Sequence, residues 1–149
     1  MRFDSTAPAI TALTPDHANR LYRRGQPVQV TFTLSEAPAA DPDVRLELLP
    51  TPLAMPCTHA ALAYTCTSAA LAGTELPQSV VNVSVTVADP AGNVATGGTS
   101  VVLDFTNPTV LSAAPGRSAF AAGATLSYTV SVSEPLAAAP TLAVQRAGV

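Results

Sequence analysis

Val28, Val30, Phe32 and Leu34 alternate with Gln29, Thr31 and Thr33. A strict period of two over seven positions puts one set of side chains on each face, so residues 28–34 read as a half-buried strand. Val81, Val83, Val85 and Val87 alternate in the same way with Asn82, Ser84 and Thr86. Residues 44–49 give a third such strand, with Val44, Leu46 and Leu48 inward and Arg45 and Glu47 outward. Further strands are predicted at 9–14 and 94–103, with a hairpin formed by Cys57 and residues 62–66. The proline-rich stretch 50–56 has to be loop or sheet edge, because proline gives the ladder no donor. Asp89-Pro90-Ala91-Gly92-Asn93 carries a turn former at every position except Ala91. About seven short strands in roughly 100 residues, with turn signals between them, predict an all-β sandwich.

The pattern then starts again. Asp4-Ser5-Thr6-Ala7-Pro8 returns one hundred residues later as Asp104-Phe105-Thr106-Asn107-Pro108. Tyr22 and Gly25 answer to Phe120 and Gly123, 98 residues on. At the same offset Val28, Val30, Phe32 and Leu34 answer to Leu126, Tyr128, Val130 and Val132, and Ser35-Glu36 to Ser133-Glu134. Residues 1–103 therefore read as one full repeat and 104–149 as the N-terminal half of a second, with a third strand at 141–145. Three strands with one apolar face are marginal alone. That half is either part of a cut domain or is completed by another chain.

Three features carry a resemblance to a known family: Asp4-x-Thr6-Ala7-Pro8, the strand running into Ser35-Glu36, and Val87-Ala88-Asp89-Pro90-Ala91-Gly92-Asn93. The chain resembles the bacterial immunoglobulin-like repeat domains of surface and adhesin-type proteins. The resemblance covers residues 3–106 fully and 104–149 in part. It implies a Greek-key immunoglobulin-like β-sandwich, a secreted or cell-surface protein, and neighbouring repeats of the same chain as partners. It also implies a non-catalytic spacer role, with calcium between domains in some relatives.

Composition narrows the alternatives. Fourteen prolines, about twice the usual share of roughly 5%, leave no room for long helices. Charged residues make up 11% of the chain and the net charge is −3. All the cations are arginines, and only Arg20, Arg23 and Arg24 cluster. That is no basic face, so nucleic acid is not an expected partner. No apolar run approaches the ~20 residues that cross a bilayer, so no membrane insertion is expected.

Catalytic patterns are missing: no G-x-S-x-G, no phosphate-binding loop, no H-x-x-x-H. The two histidines, His17 and His59, read as surface residues and the chain as no enzyme. Cys57 and Cys66 flank the predicted hairpin nine positions apart. In an exported protein that spacing reads as a disulfide. The alternative, zinc held by Cys57, His59 and Cys66, lacks a fourth ligand.

The ten carboxylates are unevenly placed. In a Greek-key sandwich Asp4, Glu36, Asp41, Asp43, Asp89 and Asn93 gather at one pole. Hard oxygens converging from separate loops suit Ca²⁺, whereas Asp and Asn also occur there simply as turn formers. The calcium reading takes Asp4, Glu36, Asp89 and Asn93 as ligands at the outer pole. At the junction it takes Asp104 and Glu134, with Asp16 and Glu75 nearby; otherwise no cofactor is expected. Asn82-Val83-Ser84 matches a glycosylation acceptor but falls inside a predicted strand.

Two other roles remain open. An accessory carbohydrate-binding domain would need exposed aromatics; tryptophan is absent, leaving Tyr64, Phe3 and Phe105. A filament subunit would complete the second repeat by self-association through strand addition.

Overall fold

The computed structural model describes residues 3–73 and 79–143. The chain divides into two compact units, Met1–Thr106 and Asn107–Val149. No helix occurs among the described residues. In the first unit the strands are β1 (Ile10–Pro15), β2 (Leu21–Tyr22), β3 (Gln29–Leu34), β4 (Asp43–Leu46), β5 (Leu53–Ala54), β6 (Cys57–Ala60), β7 (Ala63–Thr67), β8 (Ser79–Ala88) and β9 (Val94–Leu103). One sheet runs β1-β3-β7-β6 and the other β2-β9-β8-β4-β5. Together they enclose one core, making an all-β sandwich.

The alternating positions supply that core. Val28, Val30, Phe32 and Leu34 on one sheet are buried against Val44, Leu46, Val81, Val83, Val85 and Val87 on the other. β-branched valine suits this work because its single preferred χ1 packs on a pleated surface with little entropy to lose. Phe32 and Tyr64 are register partners whose rings stack at 5.4 Å, forming the aromatic centre of the first sheet.

Three features depart from the simple strand pattern. β1 carries a bulge: Thr11 pairs with Thr33 but Thr14 with Thr31, leaving Ala12 and Leu13 opposite Phe32. Ala12 takes a left-handed φ of 54° there. β2 is a two-residue strand that pairs in parallel with the end of β9, Leu21 with Val102 and Tyr22 with Leu103. The strand expected over 44–49 stops at Leu46, where the Leu48 N–H donates to the Leu46 carbonyl at 2.8 Å. Leu48 nonetheless stays buried. The proline-rich stretch yields the edge strand β5, followed by the β6–β7 hairpin.

The second unit holds β10 (Val110–Pro115) and β11 (Tyr128–Val132), paired antiparallel. Residues 141–143 of the expected third strand are not in a strand, and 144–145 lie outside the described residues. The two strand pairs β1–β3 and β10–β11 share a register. Ile10 pairs with Leu34 and Val110 with Val132; Pro15 pairs with Val30 and Pro115 with Tyr128. Turns recur as well. The Gln26 N–H donates to the Arg23 carbonyl and the Ala124 N–H to the Ala121 carbonyl, each at 3.1 Å. Each turn has glycine at its third position with positive φ, 80° at Gly25 and 78° at Gly123.

Candidate functional site

The one grouping of acidic side chains close enough to share an ion, among the described residues, lies at the pole where β8 turns into β9. The turn is built by Asp89 and Asn93. The Asp89 N–H donates to the Asn93 carbonyl, and the Asn93 N–H returns to Asp89 Oδ1 at 2.8 Å. Gly92 supplies the left-handed residue the turn requires, with φ 91°. The Asn93 carboxamide donates to Asp89 Oδ2 at 2.7 Å and reaches the carbonyls of Asp4 and Thr6 at 3.3 and 3.4 Å. It thereby ties the N-terminal segment to the turn.

That segment is held by its own residues. Asp4 Oδ1 accepts the Thr6 N–H, and Ser35 Oγ accepts the Ala9 N–H at 2.8 Å. Ser35 in turn donates its N–H to the Ala9 carbonyl, which sets the adjacent Glu36 over the same pole. Carboxylate oxygens of Asp4, Glu36 and Asp89 come within 4.8 Å of one another. Asp89 is 1% exposed, Glu36 partly buried and Asp4 exposed. Among the described residues none of the three forms a salt bridge. The hydrogen bond from the Asn93 side chain, helped by backbone N–H groups of the turn and opposed by desolvation, holds the Asp89 carboxyl below the usual carboxylate range.

Of the residues expected at this pole, Asp4, Glu36 and Asp89 come together. Asn93 joins them as a hydrogen-bond donor, with its NH₂ group turned toward Asp89. Asp43 is engaged elsewhere, by the Arg45 guanidinium at 2.9 Å, and Asp41 is outside the group. At the expected junction, Asp104 Oδ1 accepts both the N–H and the hydroxyl of Thr106, repeating the turn at Asp4. Glu134 is partly buried in the second unit. Asp16 accepts the Tyr22 hydroxyl, and Glu75 lies outside the described residues.

Cys57 and Cys66 face each other across the β6–β7 hairpin and are joined, with sulfurs 2.02 Å apart. Bonded sulfurs present no thiolate, so the zinc alternative loses its ligands. His59 stacks on Tyr64 at 5.0 Å instead. His17 stacks on Tyr22 at 4.4 Å and its Nδ1 bonds the Leu21 carbonyl. Tyr64, expected as an aromatic platform, is buried, and Phe105 packs on the core. Phe3 alone of those three is exposed. A shallow groove of about 700 Å³ crosses the outer face of β8 and β9. Arg20, Glu47, Asn82, Ser84 and Thr99 line it, with no aromatic among its lining residues.

Sequence reasoning missed the polar residues that close the unit: Ser35 on the Ala9 N–H, Ser68 on the Val28 N–H, and Asp16 under the Tyr22 hydroxyl. Only the Ser-Glu pair that ends both repeat blocks signalled any of them. Comparison with protein-family models finds no match to this chain, and comparison with curated proteins finds none either.

Proposed function

We propose that this chain is a non-catalytic spacer module of a secreted or cell-surface protein, built from tandem immunoglobulin-like repeats. The observation that carries the reading is the return of one strand register, one glycine turn and one Asp-Thr turn about one hundred residues apart. A chain that repeats its own scaffold at that interval is organised for length. The strand order also supports the immunoglobulin-like assignment. With β1, β3, β4, β6, β7, β8 and β9 as successive strands, the sheets group as the first, second, fifth and fourth against the third, sixth and seventh. The disulfide suits an oxidising compartment.

A spacer has to carry tension. The first unit ends through β9, whose last residues pair in parallel with β2, so a pull at residue 106 loads those bonds along the strands. Stretching a tandem polyprotein of residues 1–106 in a single-molecule force instrument tests the role. Discrete unfolding peaks are expected. The length released per domain should grow on reduction by about 30 Å, from a cysteine separation of nine positions at roughly 3.5 Å each. A featureless extension would remove the spacer reading.

The calcium expectation belongs to the same proposal, as a stiffener of the pole. It is supported by three converging carboxylates with no cationic partner among the described residues. At millimolar calcium the melting temperature should rise in the native chain and not in Glu36→Gln. An unchanged melt would leave Asp4, Glu36 and Asp89 as turn and surface residues.

The absence of aromatics from the polar groove, and the burial of Tyr64, weigh against the carbohydrate-binding alternative.

A further inference from the structure

The strands β1, β3, β7 and β6 contain no lysine, arginine, aspartate or glutamate. Strand pairing sets their outward residues in rows. Thr14 lies opposite Thr31, Thr31 opposite Thr65 and Thr65 opposite Thr58, a line of threonines across all four strands. Beside it Thr11 lies opposite Thr33, Thr33 opposite Ala63 and Ala63 opposite Ala60. All of these are exposed except Thr65, which is half-buried. The other sheet differs, since Asp43, Arg45 and Glu47 are all exposed on its β4 side.

The hydroxyls of this face are held in place. Thr14 and Thr31 bond through their hydroxyls at 3.3 Å, the Thr11 hydroxyl donates to the Thr33 carbonyl at 3.2 Å, and Gln29 Nε2 donates to Thr67 Oγ1 at 3.1 Å. β-branched side chains have little χ1 freedom to begin with. The Cys57–Cys66 bond fastens β6 to β7 one position from the Thr58–Thr65 pair. The second unit repeats the outward hydroxyls. Thr129 and Ser131 stand 98 residues on from Thr31 and Thr33, and Ser112 lies opposite Ser131 as Thr11 lies opposite Thr33. Neither β10 nor β11 contains a charged residue.

The chemistry of the face rules out most partners. Without charge it attracts neither nucleic acid nor an anionic membrane. Without an aromatic it gives a sugar ring nothing to stack on. Four strands ~4.8 Å apart, with about five residues each at ~3.3 Å, make about 300 Å². A stable protein partner buries roughly 800 Å² per side. What the face offers is regularity: methyl and hydroxyl groups recur every ~4.8 Å across the strands and every ~6.6 Å along them. These repeats are close to those of the oxygens in an ice crystal. Fixed hydroxyls bond lattice waters, methyls lie in the gaps between them, and no ion imposes a competing hydration shell. A face already rigid loses little side-chain entropy when it adsorbs.

We propose that the threonine face of β1-β3-β7-β6 binds ice, with Thr14, Thr31, Thr65 and Thr58 as its central row. Ice binding asks nothing of the spacer role and does not rest on it.

The test grows ice slowly from a solution of the full chain and compares the protein held in the ice with that left in the liquid. The native chain should be enriched in the ice, whereas an ordinary soluble protein is rejected into the liquid. Thr31→Lys, in the middle of the row, should abolish uptake. Thr86→Lys, at an exposed position of the other sheet, should leave it unchanged. A thermal melt of each variant reports whether it folds. Thr58→Lys lies on the edge strand, where lysine is well tolerated, and should give the same loss if Thr31→Lys does not fold. Rejection of the native chain, uptake retained by a folded lysine variant of the row, or equal loss in Thr86→Lys would overturn the proposal. So would Thr31-dependent binding to crystalline cellulose without uptake into ice, which would make a polysaccharide the occupant. Dimerisation abolished by Thr31→Lys would overturn it as well, in favour of a second copy.

Discussion

Asp89 shows how one side chain serves a turn and a cluster together. Its two carboxylate oxygens accept the backbone and side-chain N–H groups of Asn93, while Asp4 and Glu36 approach within 4.8 Å. The Asn93 side-chain hydrogen bond favours the charged form, desolvation opposes it, and the backbone N–H groups of the turn tip the balance, holding the carboxyl below its ordinary value. A carboxyl whose folded pKa lies below its unfolded value adds stability that is fully present above the unfolded value. That stability is lost as pH falls through the folded one. Asp89→Asn should therefore lower the urea midpoint at pH 7, and the gap from the native chain should close as the pH falls below the ordinary carboxylate range. A variant more stable than the native chain at pH 7 would mean that carboxylate repulsion dominates instead. A different residue, Gly97, sits where β1 closes over β9. A Cβ there would meet Ile10 Cδ1 at 3.2 Å. Gly97→Val should cost about 1–3 kcal/mol by overpacking, measured by denaturant unfolding.

At the scale of elements, the sheet edges set the vulnerabilities. β6 is the edge of the first sheet, and its exposed Thr58, His59 and Ala60 bury little. The Cys57–Cys66 bond holds this strand to β7 where burial cannot. Replacing both cysteines by serine should cost about 2.5–3 kcal/mol on the loop-entropy account of a small closed loop. The exchange rates of β8 amides, measured in the same experiment under native conditions, should change no more than global stability requires. The bulge at Ala12 and Leu13 has a comparable role in β1. It turns Leu13 toward the core, where an unbroken strand would have kept strict alternation.

At the scale of the molecule, the two units differ in what they bury. The first has a core fed by both sheets, and the second has one pair of strands whose apolar residues remain largely open. A two-stranded sheet with an open face is marginal in water. Hydrogen exchange on the intact chain should accordingly find Val81, Val83 and Val85 exchanging near the global unfolding limit. Tyr128, Val130 and Val132 should exchange orders of magnitude faster. Equal protection in β8 and β11 would show that the second unit is already covered.

The alternating period of residues 28–34, 44–48 and 81–87 determined, without any structure, which of their own side chains face the core, because a strand can turn only every second residue to one side. The matching residues at 10–34 and 110–132 form strand pairs of like register, since the same local chemistry makes the same local geometry. The nine-position spacing around a predicted hairpin suggested the Cys57–Cys66 pair, and the hairpin register sets the two opposite one another. Tertiary structure decided the rest. Asp4, Glu36, Asp41, Asp43 and Asp89 all read as pole residues in sequence; only the folded chain sets Asp43 against Arg45 and brings Asp4, Glu36 and Asp89 within 4.8 Å of one another. Tyr64 reads as a free aromatic until its pairing with Phe32 places it in the core. The parallel pairing of β2 with β9 joins residues about eighty positions apart, and a two-residue strand has too short a period to announce itself. Local chemistry writes strands and turns; which distant edges meet depends on the contacts that the whole core selects.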